Sequence, residues 1–300
     1  MVGYLFAGQG SQYVGMGQDL SAAFPEAQEI FDQANKILGF SLSELCFRGP
    51  LDVLTKTNNC QPAIVATTIA SWQAYKSKHP QIDGYMAGLS LGEYSAYVAA
   101  GALKFEDAIS LVRQRGEFME EAALKYPGKM LSVIGLDLVK VREICAQLGT
   151  EVANINCPGQ IVISGTPLAI SQAQELAKAQ GAKLAVILEV SGAFHSSFMA
   201  EASLKLAREL EKINILKPKF PVVSNVSAQI TFDPAEIKQN LIKQVASSVL
   251  WEDSIRLILS KGVSSFIEFG PGKVLKGLLR RIDSNARVTN IEKKEDIAGS

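Results

Sequence analysis

Three residues spread through the 300-residue chain are of types that perform nucleophilic catalysis: Ser90, His195 and Arg115. Ser90 sits in GLSLGE, residues 88–93, between the strand-like YMA and the helical YSAYVAAG. A G-x-S-x-G string in a strand–turn–helix setting is the sequence form of a nucleophile elbow, whose small flanking residues admit a strained turn that lifts the hydroxyl out of the backbone. The amides that open the following helix, Leu91 first, then point where an oxyanion would form. The string alone occurs by chance, but its setting puts a nucleophile ahead of a plain turn.

A serine nucleophile needs a base, and the chain has two histidines. His79 lies in the charged stretch KSKHPQ and reads as a solvated loop residue. His195, in SGAFHSSFM, follows an apolar strand and stands at the mouth of a helix whose dipole would help keep its imidazole neutral. His195 is therefore the candidate base. Arg115 falls on the apolar stripe Ala108, Val112, Met119 of a helix that starts at Phe105, whereas Arg113 shares the charged face with Glu106, Glu117 and Glu120. A buried guanidinium needs an anionic partner. An internal carboxylate would serve, and so would the carboxylate of a substrate held beside the serine.

The glycine-rich loop in LFAGQGSQYVGMG, residues 5–17, invites a phosphate. A dinucleotide fingerprint fails because Tyr13 stands where the third glycine belongs, and a P-loop fails because Met16 and Gly17 replace its Lys and hydroxyl residue. A tight turn is the plain alternative. Thirty basic and thirty acidic residues cancel, so no global field points to nucleic acid or a membrane surface. No basic residue precedes Lys36, and no apolar run is long enough to span a bilayer, so neither a secretory signal nor a membrane anchor is expected. Cys46, Cys60, Cys145 and Cys157 form no C-x-x-C pair; free thiols in a reducing cytoplasm and no metal site are expected.

Strand-like and helical patterns alternate, which predicts an α/β fold with a largely parallel sheet. VGYLFA, GYMAG, PVVSNV and SSFIEF read as its strands. Residues 62–78 read as a helix opened by Pro62. Residues 129–191 follow the order β-α-β-β-α-β, a ferredoxin-like unit. The polar tail EKKEDIAGS is expected to fray or to lead into a linker. Lys273, Lys276, Arg280 and Arg281 make a basic stripe near the C-terminus, either a docking surface for an acidic partner or a solvated helix face.

The motifs GQGSQ, GLSLGEY, LVRQRGEFM, NINCPGQIVISG, VSGAFHSSFM and EFGPGKVLKGL occur in that order. Together they closely resemble the malonyl-CoA:acyl-carrier-protein transacylases, including the discrete acyltransferases that serve polyketide synthases in trans. The resemblance runs from about residue 3 to about 290. It implies a large α/β-hydrolase-like domain, residues 1–126 and 192–300, with a small ferredoxin-like insertion at 127–191. It implies Ser90 as nucleophile, His195 as base and the amides of Gln9 and Leu91 as oxyanion hole. Arg115 would clamp the malonyl carboxylate, Gln244 would orient the histidine through its main-chain carbonyl, and Asn156 would lie near the acyl site. GAFH resembles the malonyl-selective form, in which Phe194 limits room at the α-carbon. The glycine-rich loop would then approach a thioester oxyanion and not a phosphate. The partners implied are malonyl-CoA and an acyl carrier protein, in fatty-acid or polyketide synthesis, with no metal or redox cofactor, in a cytoplasmic monomer. One departure is Leu89, where the family most often has histidine, and it bears on local hydrogen bonding and hence rate or acyl selectivity. A related acyl-thioester hydrolase is the nearest alternative, though it has no use for a buried Arg115. A non-catalytic module comes last, since it predicts a damaged Ser90 or His195.

Overall fold

The computed structural model describes residues 1–298 as two sheets surrounded by helices. The strands in chain order are β1 (Val2–Phe6), β2 (Gly84–Gly88), β3 (Lys129–Ile134), β4 (Glu151–Cys157), β5 (Gln160–Gly165), β6 (Leu184–Ile187), β7 (Val222–Val223), β8 (Ile230–Thr231), β9 (Val249–Leu250), β10 (Ser265–Phe269) and β11 (Arg287–Ile291). The larger sheet runs β11-β10-β1-β2-β7-β8, parallel except for β8. Its central strand β1 is buried from Gly3 to Phe6, as expected of a parallel strand covered on both faces. β1 and β2 end level, Phe6 opposite Gly88, so the loops that leave them meet at the carboxyl edge, where open α/β sheets build sites.

That meeting has no room for side chains. A Cβ on Gly88 would lie 2.0 Å from the Gly92 backbone, one on Gly92 would lie 2.1 Å from the Phe6 carbonyl oxygen, and one on Gly8 would lie 2.4 Å from the Leu89 carbonyl oxygen. Glycine is required at all three by close backbone approach.

The smaller sheet runs β6-β3-β5-β4-β9. Its first four strands come from residues 129–187 with the helices Leu138–Leu148 and Pro167–Ala179, in the expected β-α-β-β-α-β order. The fifth strand, β9, was not foreseen. It arrives from far along the chain and pairs parallel to β4, Asn154 opposite Val249.

The helix Thr57–Lys78 crosses beneath the larger sheet and is buried without a break from Cys60 to Trp72. The Trp72 ring meets Tyr4, Phe6 and Phe269 edge-on at centroid distances of 5.5, 5.7 and 5.2 Å, fastening the helix to β1 and β10. Pro62 lies inside this helix and does not open it. Proline cannot bond the carbonyl four residues back. That carbonyl, of Asn58, instead accepts from Arg113 Nη1 at 3.1 Å, so the helix tolerates the proline and begins a turn earlier. The tail departs from expectation too: Lys294–Ala298 is helical, Ile297 is buried, and the Lys294 amide donates to Asp19 Oδ2 at 2.9 Å. Residues 299–300 lie outside the described residues. All four cysteines are buried and unpaired. Among the described residues no helix is long and apolar enough to cross a membrane.

The glycine argument is testable by denaturant unfolding. Gly92→Ala should destabilise by about 2–3 kcal/mol, the range of a backbone-limited overpacking. Gly277→Ala, at a helical site with nothing within 4 Å of the added carbon, should stabilise by up to about 1 kcal/mol.

Candidate active site

Ser90 follows β2 with a φ of 51°, one of three non-glycine residues in the left-handed region among the described residues. Such a conformation costs of order 1–3 kcal/mol and persists only where neighbours over-determine it. Here the Ser90 amide donates to Asn225 Oδ1 at 2.6 Å, and Asn225 Nδ2 donates to the Gly88 carbonyl at 2.8 Å, so one side chain spans the turn. The amides of Leu89, Gly92 and Glu93 are held by the carbonyls of Phe6, Leu89 and Ser90. Among the described residues Leu91 is left as the elbow amide with no protein acceptor. Across the cavity, the Gly10 amide is taken by Gln12 Oε1 at 2.9 Å, while Gln9 lines the space in front of Ser90.

His195 has the same strained backbone, φ 57°. Hydroxyls brace the chain on either side of it: Ser164 Oγ on β5 donates to the Phe194 carbonyl and Ser196 Oγ to the Ala193 carbonyl, each at 2.6 Å. The Gln244 main-chain carbonyl lies 2.8 Å from His195 Nδ1 and can only accept, so Nδ1 carries the proton. Nε2 is then the free lone pair, 2.7 Å from Ser90 Oγ. The imidazole is held neutral, its pKa lowered to about 4, first by burial and then by the Arg115 charge, against the stabilising carbonyls of Gln244 and Ser247. The helix expected to act on the ring through its dipole stands farther off than the sequence suggested, because the chain after His195 first makes a short 3₁₀ turn, Ser197–Met199, ahead of the helix Ala200–Glu211.

Arg115 is 1% exposed. Its Nη1 donates to Gln61 Oε1 at 2.9 Å, and its Nη2 to Gln244 Oε1 at 3.2 Å and Ser90 Oγ at 3.3 Å. Among the described residues no carboxylate bonds it, and Nε has no partner. The internal salt bridge left open by the sequence is therefore absent. A buried cation held only by neutral groups has donors to spare for an arriving anion. By accepting from Arg115, the Ser90 oxygen also has its own proton directed to His195.

These groups open on a cavity of about 490 Å³ lined by Ser90, Arg115, His195, Phe194, Met130 and Gln9 among others. Leu89 lines it as well. Asn156 does not: it is buried farther along β4 with Oδ1 unpartnered, and the asparagine at the cavity wall is Asn154. His79 is not a free loop residue either, since it caps the helix Thr57–Lys78 with its ring stacked on Tyr75 at 4.3 Å. In the basic stripe, Lys273 and Arg280 are exposed, while Arg281 donates to Gln160 Oε1 at 2.8 Å.

Three contributors escaped the sequence reading: Gln61, Asn225 and Glu93. Gln61 and Glu93 are fully buried polar residues within helices, a contrast with their apolar neighbours that was the available signal, whereas Asn225 is buried in the turn after β7 and gave none.

The model of the acyl transferase domain family matches residues 3–297. The chain belongs to that family. This acyl transferase is 45% identical to the malonyl CoA-acyl carrier protein transacylase of Bacillus subtilis, over 99% of its own length and 95% of that protein. Its structure superposes on that of the Clostridium perfringens malonyl CoA-acyl carrier protein transacylase with a TM-score of 0.95 at 41% identity, covering 99% and 95% of the two chains. It superposes equally well, TM-score 0.96 at 38% identity and 99% and 97% coverage, on a malonyl-transacylase solved in complex with a type II PKS acyl-carrier protein.

A neutral, Nδ1-protonated base makes this acyl transferase testable by NMR. The His195 ring, assigned by loss of its signal in His195→Ala, should remain neutral at pH 5.5 and titrate near 4. A ring that charges near the ordinary 6.5 would overturn the reading that burial and Arg115 together outweigh the carbonyls of Gln244 and Ser247.

Proposed function

We propose that this acyl transferase moves a malonyl group from malonyl-CoA to the phosphopantetheine thiol of an acyl carrier protein through an O-malonyl ester on Ser90. The observation that carries the reading is the buried Arg115 guanidinium, without a carboxylate of its own and 3.3 Å from Ser90 Oγ. A malonyl thioester is a reactive carbonyl with a carboxylate one carbon away, and the site offers a nucleophile and a fork at matching separation.

In the first half-reaction the malonyl carboxylate takes the Arg115 fork, and Phe194 limits space at the α-carbon. The thioester carbonyl oxygen faces the amides of Gln9 and Leu91. Ser90 Oγ attacks as His195 Nε2 accepts its proton, and the charge that develops meets donors already in place, each worth about 3–4 kcal/mol by the effect of its removal in other enzymes. The tetrahedral intermediate collapses, His195 returns the proton to the departing CoA sulfur, and the ester remains on Ser90. The carrier thiol then attacks that ester while His195 takes its proton, and the Ser90 oxygen leaves with the proton returned. Gln244 holds the imidazole tautomer throughout, the part a triad acid plays elsewhere.

No step calls for a metal or redox cofactor, and we place the reaction in the cytoplasm. The same reading divides the chain into a catalytic body, residues 1–126 with 192–300, and an inserted unit, 127–191. The exposed Lys273 and Arg280 supply a face for an acidic carrier protein.

Intact-protein mass spectrometry tests the reading. Malonyl-CoA should leave an adduct on the Ser90 peptide that holo carrier protein removes, and Ser90→Ala should show none. Cleavage of longer acyl thioesters to free acids, with no malonyl adduct, would instead favour the hydrolase. Arg115→Ala should lower kcat/KM for malonyl-CoA by about 10²–10³, the loss of two charge-assisted hydrogen bonds, yet change acetyl transfer by less than about tenfold. Unchanged discrimination between malonyl- and acetyl-CoA would remove Arg115 from substrate recognition.

A further inference from the structure

Glu93 follows the elbow on the first turn of the helix Gly92–Ala99 and is fully buried. It is the one charged residue in that helix and has no role in the steps above. Its Oε2 accepts from Gln244 Nε2 at 2.6 Å and from the Asn225 amide at 3.2 Å. These two partners hold the reacting pair. Asn225 spans the Ser90 turn through its side chain, bonding the Ser90 amide and the Gly88 carbonyl. Gln244 orients His195 through its main-chain carbonyl and bonds the Ser90 carbonyl through the same Nε2 that reaches Glu93. The Gln244 Oε1 on the opposite side of that amide accepts from Arg115. One buried carboxylate thus anchors two segments more than 130 residues away in sequence, and a single amide separates it from the guanidinium.

We propose that Glu93 is a positioning residue for acyl transfer, its ionised carboxylate fixing Asn225 and Gln244 together and through them the Ser90 turn, the His195 tautomer and the Arg115 head. The proposal rests on the reading of Ser90 as acyl carrier and His195 as base, but not on which acyl group is carried. The bonds from Gln244 and Asn225 both go to Oε2, while among the described residues Oε1 has no hydrogen-bond partner and looks to the hydroxyl side at Ser224 and Tyr97. Ionisation matters because bonds to a charged acceptor are about twice as strong as those to a neutral one, so a proton on Oε1 weakens the hold of Oε2 on Gln244 and Asn225. Ionisable groups that face Glu93 are Tyr94 and Tyr97 from its own helix and Arg115 from the helix Phe105–Lys125; the segment at 224–225 presents the neutral Ser224 and Asn225, and the helix Pro234–Gln244 presents the neutral Gln244 to Glu93 and Glu236 to Tyr97. Burial raises the Glu93 carboxyl to about 7, against the hydrogen bonds that hold it ionised, so its protonation falls well above that of His195.

The sign follows from this order. As pH falls through about 7, Glu93 becomes neutral while His195 is still a free base, so an acid limb in kcat at that pH reports Glu93. The experiment compares Glu93→Gln, a neutral isostere, with Glu93→Ala and Glu93→Asp. It reads kcat and KM for malonyl transfer from pH 5 to 9, and separately the rate at which a fluorophosphonate labels Ser90. Labelling needs the serine–histidine pair but no malonyl group, so a parent that labels but does not transfer would count against the proposed function while leaving this test intact.

Glu93→Gln should lose the acid limb near 7 and, at pH 8, reduce kcat and the labelling rate together by about tenfold, with KM for malonyl-CoA within threefold. Glu93→Ala should lose about tenfold more, and Glu93→Asp should keep an acid limb. The proposal is overturned if folded Glu93→Gln retains the parental acid limb with kcat and labelling within threefold of the parent. If Glu93→Ala does not fold, the Glu93→Gln profile decides alone.

Discussion

A serine held at φ 51° is a conformation that the backbone resists, and nearly everything around it exists to keep it there. Gly88 and Gly92 let the strand and helix close on one another, Gly8 lets the neighbouring loop pass against Leu89, and Asn225 ties the turn from outside. The strain serves a geometric end. It projects the hydroxyl away from the sheet edge and, among the described residues, leaves the Leu91 amide without an internal acceptor, so an exposed hydroxyl and a free amide are products of the same turn.

The second organising feature is a cation in a dry place. Arg115 is surrounded by an amide from Gln61, an amide from Gln244, a serine hydroxyl and the face of the Tyr94 ring at 5.5 Å. None of these neutralises it. The consequences spread in two directions: its charge helps keep His195 unprotonated, and its spare donors are left at the wall of the cavity beside Ser90. The state of the imidazole and the capacity of the cavity for an anion therefore both respond to the same guanidinium.

Much of this was legible in residue types and spacing. Ser90 was readable because its flanking glycines sit at a strand-to-helix boundary, His195 because the chain has so few histidines, and Arg115 because it breaks an apolar stripe. The elements were readable where periodicity was strong. What stayed hidden depends on contacts distant in sequence. Nothing local in SNVS announces that Asn225 will bond an amide 135 residues earlier, and β9 is two residues long, too short to carry a pattern. Pro62 misplaced a helix start for a similar reason, because the group that replaces its missing hydrogen bond, Arg113, lies on another helix. The Asn154 and Asn156 pair shows the limit within a strand: β4 carries irregular register at both Val152/Asn154 and Ile155/Cys157, so counting alone does not tell which asparagine meets the cavity.

The two members of the reacting pair are steadied from different sheets. Ser90 hangs from the end of β2 in the larger one. The strained turn at His195 is braced by Ser164 on β5, and the chain just past its carbonyl partner Gln244 is stitched to β4 through Ser248 and β9. The 2.7 Å between Oγ and Nε2 is in effect a gauge of how the sheets sit against each other. The sheets are not free to slip, because Met130, Ala153 and Val162 of the smaller one pack in the same buried cluster as Tyr4 and Phe6 of the larger, so the core that stabilises the molecule also sets the reach of the proton.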